Sequence, residues 1–402
     1  MRKSCLWRYR YLWFVIAGLS LIFVLILSAK VDYRNSDFFS FWLAGHMVWT
    51  GENPYIAQEW IHAHRQFEAN WISDPRFLYP LPLSLFYAPF GLLPLREAYV
   101  LFVFLSSWMI IFSICILLSP ELRDKHYIFP LLAGVALFRP VWITLHNGQI
   151  GALLLWMLAI VIWLWNQERW FWGGIIFAWA GLKPNLGMPI IGIVALWLIL
   201  QRHKAALKGI LVSGILLVLM GMALSPNWIL EYWGIGHYKL SHTFGYASSL
   251  WGLSFYITKF HALKGLWLGW MTTILTLVGA LFFLWKRHNS LTVAQVFAIA
   301  ISSSLWVTPY TWPYDQVLLL IPIITILETM TRRRFPYLIV STTPLILDII
   351  AILLLLRSIQ IQKEVLNGII PLMILIFSIY LFGATNASIR GIATPIQNTR
   401  SL

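Results

Sequence analysis

Long apolar runs separated by short polar breaks dominate the chain. Such runs recur at 11–29, 97–119, 127–145, 149–165, 170–183, 185–200, 206–224, 266–285, 292–308, 313–330, 335–356 and 365–384. Most approach the ~20 residues that a helix needs to cross about 30 Å of hydrocarbon. The pattern predicts an all-α integral membrane protein, a multi-pass bundle with about 11–13 transmembrane helices. The count is a range because the run 170–183 is short, Trp-rich and closed by Pro184, so a broken or re-entrant element fits it as well as a span.

Two polar insertions, 31–95 and 225–265, interrupt the series. No internal repeat or low-complexity linker divides the chain, so residues 1–402 read as one polytopic domain. Within the first insertion, "NPYIAQEWIHAHRQFEANW" has the pattern of an amphipathic helix that would roof a site at the membrane surface. The amino terminus has a basic head and small residues near Ser28 and Ala29, like a signal peptide. Its apolar run from Tyr11 to Ala29 exceeds a signal core and predicts an uncleaved first helix.

Composition agrees: 59% of residues are hydrophobic and 11% charged, against about 25% charged in soluble domains. The net charge of +14 is accounted for by basic loops and lipid headgroups, without nucleic acid as a partner. With the amino terminus in the cytoplasm, that side collects seventeen Lys and Arg against four acids. This bias predicts a multi-pass protein of the cell membrane with both insertions extracytoplasmic. Cys5 and Cys115 are too few for a disulfide framework. No glycine-rich nucleotide loop, Ser nucleophile elbow or metal-spaced His or Cys cluster is present, so the expectation is no cofactor and no tightly bound metal.

Against this background a few polar residues are costly near lipid and become functional candidates. They are Asp37 in "NSDFFSFW", Asn147 and Gln149 in "HNGQ", Lys183 in "GLKPN" and Asp315 in "TPYTWPYDQ". The predicted topology puts all of them at the extracytoplasmic end. Each also has a structural reading. Asp37 can cap a helix beginning at "FFSFWLAGHMVW", whose aromatic residues would lie along the interface. "HNGQ" can be a tight turn, Lys183 can snorkel to headgroups, and Asp315 can pair with a neighbour.

The blocks "SDFFSFWLAGHMVWTGENPY", "FLYPLPLSLFYAPFGLLPL", "HNGQIGALLLWMLAIVIWLW", "GIIFAWAGLKPNLGMPII" and "VTPYTWPYDQVLLLIPI", in this order over about residues 30–325, resemble glycosyltransferase family 87. Those are mannosyltransferases of the GT-C architecture that use polyprenyl-phosphate sugars. The resemblance implies a donor carried on a polyprenyl phosphate, a glycolipid or glycan acceptor, and an acid of the first external loop as general base. Asp37 matches that acid, with Asp32 second; Lys183, Gly148 and Gln149 match further blocks. Relatives carry His after the late Trp, whereas this chain reads Trp312, Pro313, Tyr314, Asp315, which leaves another hexose or a pentose open as the transferred sugar.

These residue types suit inverting transfer. A carboxylate that takes the proton of an acceptor hydroxyl contributes about 10² to 10⁴ in rate. Lys183, Arg34 or Arg139 can stabilise the departing phosphate, and Asp315, Tyr314, Asn147 and Gln149 can bind sugar hydroxyls. Two rivals share the composition. A transporter or flippase of lipid-linked sugars would place its polar groups near the midplane. An oligosaccharide polymerase or ligase would use a large external loop, here one with His237, His242 and His261.

Overall fold

The computed structural model describes residues 31–69 and 76–384, together with 18, 20–26, 28 and 29; for 125 and 237–244 it describes the backbone alone. The predicted first span lies largely outside the described residues, with helix at 20–26. Cys5 and the side chains of His237 and His242 also lie outside them. The protein is all helical, with no strand among the described residues.

Every apolar run after the first folds as helix. α1 (Asp37–Thr50), α2 (Ala57–Gln66) and α3 (Pro82–Gly91) build the first insertion. Then follow α4 (Leu95–Leu117), α5 (Lys125–Leu137), α6 (Arg139–His146), α7 (Gly151–Asn166), α8 (Trp170–Phe177), α9 (Pro184–Leu200) and α10 (Lys204–Leu224). α11 (Trp228–Thr243) and α12 (Leu250–Ile257) form the second insertion, ahead of α13 (Ala262–Arg287), α14 (Val293–Val307), α15 (Leu320–Arg332), α16 (Tyr337–Ile361) and α17 (Ile369–Gly383). Among the described residues six helices are long and apolar enough to cross a membrane, seven if the bent pair α5–α6 counts as one. The four shorter apolar helices are α7, α8 with its extension, α9 and α14. At 1.5 Å rise per residue, α7 reaches about 24 Å.

Three runs break where the chain turns toward the site. α5 and α6 meet at 49°, where Pro140 in the first turn of α6 forces the preceding residues out of the helix. α8 tightens into a 3₁₀ turn, Ala178–Leu182, before Lys183 and Pro184, in line with the broken element predicted there. The 313–330 run opens as a 3₁₀ helix, Pro313–Leu319, continuing into α15.

α14 and α15 are the core. Every residue of α14 from Gln295 to Val307 is buried, and Thr292 and Gln295 close its start with a reciprocal capping box. Most residues of Pro313–Arg332 are buried, while few of α13 are, and α13 turns Trp267, Met271 and Val278 outward. Apolar side chains on peripheral helices face lipid at little cost, so burial sorts the helices into inner and outer layers.

The connections at one end of the bundle are stitched together. Ser248 N–H donates to Thr311 O at 2.9 Å, Asn185 Nδ2 to Tyr310 O at 2.5 Å, and Gln316 Nε2 to Asn367 O at 2.8 Å. The opposite end carries Arg123, Arg169, Arg202, Lys204, Lys286, Arg287 and Arg332–Arg334 in short turns. The basic bias read from sequence thus falls on the end away from the candidate residues.

Candidate functional site

α1 carries Asp37 as its first helical residue. The N-cap is Ser36, whose hydroxyl donates to Tyr33 O at 2.7 Å. The capping reading therefore fails for Asp37. Asp32 caps a separate 3₁₀ turn, Tyr33–Asn35, accepting from Arg34 N at 3.2 Å and Asn35 Nδ2 at 2.5 Å. The aromatic residues after Asp37 do not lie along an interface as expected. Phe38, Phe39, Phe41 and Trp42 are buried. Phe38 packs on Tyr87, Tyr99 and Phe102, and Phe41 stacks on Tyr87 with centroids 5.0 Å apart.

This packing locks α1 onto α3. A Cβ on Gly45 would stand 2.4 Å from Tyr87 O, and one on Gly91 2.4 Å from His46 N, so the two backbones touch. α2 is amphipathic as predicted: Trp60, Ala63 and His64 are buried, while His62, Arg65 and Gln66 face out. It braces the aromatic side of α1 through His64 against Phe39, 5.1 Å between rings. The Tyr55 hydroxyl before it donates to Tyr79 O at 2.6 Å.

Asp37 meets the "HNGQ" turn directly. Phe38 N–H donates to Asn147 O at 3.0 Å, and Asn147 Nδ2 stands 3.4 Å from Asp37 Oδ2. Gly148 takes φ +59°, a left-handed turn that lies against the Phe38 side chain. Gln149, itself buried, lies close enough to Asp37 for its side chain to lower the carboxyl's proton affinity. "HNGQ" is thus both a tight turn and a site element. Burial pushes the Asp37 carboxyl above the ordinary carboxylate range, opposed by the Gln149 amide and the Lys183 charge.

Lys183 does not snorkel. It precedes a proline, a position held out of the α region, and it projects inward with only 2% exposure. Its ammonium pairs with Asp315, donates to Gln149 Oε1 at 3.4 Å and sits 5.1 Å from the Tyr314 ring centroid. Asp315, 1% exposed, also accepts from Trp312 N at 2.9 Å and Thr311 Oγ1 at 3.3 Å. The pairing read as an alternative for Asp315 is therefore present, and its partner is Lys183. The Tyr314 carbonyl accepts from Thr144 Oγ1 at 2.9 Å.

Of the candidates named from sequence, the fold gathers Asp37, Asn147, Gln149, Lys183, Asp315 and Tyr314. Arg34 instead pairs with exposed Glu68 at 3.0 Å, and Arg139 with Glu364 at 2.6 Å, so neither guanidinium is aimed at the cluster. His261 caps α13, accepting from Lys264 N at 3.4 Å. Sequence reasoning missed Tyr79. Its side chain lies within electrostatic reach of Gln149, Asp37 and Asp315, and burial raises its hydroxyl pKa above the usual tyrosine value. The available signal was its place before Pro80 in "FLYPLPL". Beside Lys183 the side chains of Ile150, Leu153, Leu154, Met157, Trp179 and Leu182 line a small apolar crevice, with room for about one water-sized group.

Residues 77–309, more than half of the chain, match the sequence profile of glycosyltransferase family 87. The chain belongs to this family. It is therefore a membrane glycosyltransferase of the GT-C type. No curated protein and no solved structure matches the chain. The family 87 match includes Tyr79, Asn147, Gln149 and Lys183, while Asp37 and Asp315 fall on either side of it. These two acids join the family segment through the contacts just described.

Proposed function

We propose that this glycosyltransferase moves a hexosyl residue, mannosyl in the first instance, from a polyprenyl-phosphate carrier to a glycolipid or glycan acceptor. Transfer inverts the anomeric centre, with Asp37 as general base, on the extracytoplasmic face of the cell membrane. One observation carries the reading: Asp37 is free of any capping duty and stands, half-buried and beside the Asn147 side chain, at the edge of a buried polar cluster. A carboxylate so placed can take the acceptor's hydroxyl proton as the glycosidic bond forms.

In this reading the carrier's lipid chain stays in the bilayer and its phosphate and anomeric carbon are presented to the polar cluster. Asn147, partly exposed, is left to hold sugar hydroxyls. The phosphate is a good leaving group, so a second protein acid is not required, and no tightly held metal enters this reading. The deciding experiment incubates purified protein with radiolabelled polyprenyl-phosphate sugars and a panel of glycolipid acceptors. Incorporation from the lipid donor supports the proposal. Incorporation from a nucleotide sugar alone, or none from any lipid donor, overturns it.

A further inference from the structure

Lys183 and Asp315 are too deeply buried to serve as headgroup contacts, and their charges already balance each other. Stability does not explain such a pair, because well-packed apolar residues in place of a buried ion pair are often as stable or more so. The remaining contact of Lys183 suggests a use. Its ammonium donates to Gln149 Oε1. A carboxamide has one oxygen and one NH₂ group with two donors. With the oxygen drawn to Lys183, the NH₂ end is left to the side of Asp37 and Tyr79, whose proton affinities the Gln149 side chain lowers. The opposite flip would set the amide oxygen against the Asp37 carboxylate and its NH₂ against an ammonium, two repulsive contacts in place of attractive ones.

We infer that Lys183 and Asp315 are positioning residues that hold Gln149 in the one orientation that presents its N–H to the Asp37 carboxylate. Asp315 anchors Lys183, Lys183 sets the carboxamide, and the carboxamide fixes the carboxylate. Trp312 N–H and Thr311 in turn hold Asp315, so the late loop and the first insertion are coupled through three side chains. The inference rests on the reading of Asp37 as general base.

The test uses the full chain in detergent, with radiolabelled polyprenyl-phosphate-mannose as donor and octyl mannoside as acceptor. The double variant Lys183→Met/Asp315→Asn removes both charges and leaves neither one buried alone. Its kcat should fall on the order of 10- to 100-fold, the scale of a misplaced catalytic group, while the donor KM stays unchanged. Gln149→Met should cause the same loss, with no further loss when all three substitutions are combined. Wild-type kcat, a raised donor KM at unchanged kcat, or additive losses overturn the inference.

A second readout needs no substrate. The pH midpoint for carbodiimide labelling of Asp37 reports its proton affinity. The groups that face Asp37 are Asn147, Gln149, Lys183, Asp315, Tyr79 and Tyr314. Lys183 and Asp315 act on it in opposite directions, Lys183 the more strongly, so the double variant keeps a small net charge effect, and Gln149→Met, which changes no charge, isolates the effect of the amide. The midpoint should rise in the double variant and in Gln149→Met; an unchanged or lower midpoint overturns the inference. Gln149→Met carries both readouts if the double variant does not fold. Wild-type turnover by Asp37→Asn, or no transfer by the wild type, defeats the base reading instead, and the labelling midpoints still decide the orientation of Gln149.

Discussion

The backbone N–H of Phe38 donates to the carbonyl of Asn147 across 3.0 Å, tying the first turn of α1 to the turn between α6 and α7. This bond sets Asp37 beside the Asn147 side chain and presses the Phe38 side chain against Gly148. A packing contact and a candidate catalytic contact thus share one backbone junction.

Gly148→Ala should damage that junction. The residue has φ +59°, and an added Cβ would lie 2.6 Å from Phe38 Cβ. Left-handed backbone costs a non-glycine residue about 1–2 kcal/mol before any clash is counted. The expected result is a lower thermal unfolding midpoint in detergent together with slower transfer. Gly192→Ala, with open space around its Cβ, should match wild type in both, and equal behaviour of the two variants would count against the junction.

Asp37→Asn should insert and fold normally yet lose on the order of 10² or more in transfer rate. Asp32→Asn touches only the local cap and should be far milder. Comparable rates for the two variants would remove Asp37 from the role of base.

The same burial gives a pH signature. Asp37 is held above its ordinary 3.8, so the base is lost as pH falls through that raised value. The acid limb of kcat/KM should lie above pH 3.8 in the wild type. Linkage has the matching sign: ionised Asp37 costs stability above its folded pKa, and the cost vanishes below the unfolded value. At neutral pH, Asp37→Asn should unfold no earlier than wild type, and a midpoint several degrees lower would contradict the account.

Lys183→Ala alone leaves the Asp315 carboxylate buried without its cation. Breaking such a pair from one side costs about 3–5 kcal/mol. The single variant should therefore be clearly less stable in detergent than Lys183→Met/Asp315→Asn, and the reverse order would mean that the pair is not held as described.

Orientation can be read with single cysteines in a Cys5→Ser/Cys115→Ser background. Arg65 on α2 and Lys204 at the start of α10 are both exposed, at opposite ends of the bundle. Arg65→Cys should react with an impermeant maleimide in intact cells, and Lys204→Cys only after permeabilisation. The reverse pattern would place the site in the cytoplasm.

The sequence alone determined the helices and their class, because apolar runs of this length and caps such as Thr292–Gln295 are local properties of neighbouring residues. It also singled out Asp37, Asn147, Gln149, Lys183 and Asp315, since polar groups stand out in an apolar chain. Only the tertiary structure decided which partners each meets. Whether Asp37 caps α1 depended on where the chain enters the helix: Ser36 takes the N-cap position and Asp37 falls inside the first turn. Whether Lys183 reaches headgroups or Asp315 depended on the bend before Pro184 and on the 3₁₀ turn at Pro313, which bring residues from distant helices within bonding distance. Tyr79, Arg34 and Arg139 were misjudged for the same reason: a side chain's partner is a property of three-dimensional packing, and local pattern does not encode it.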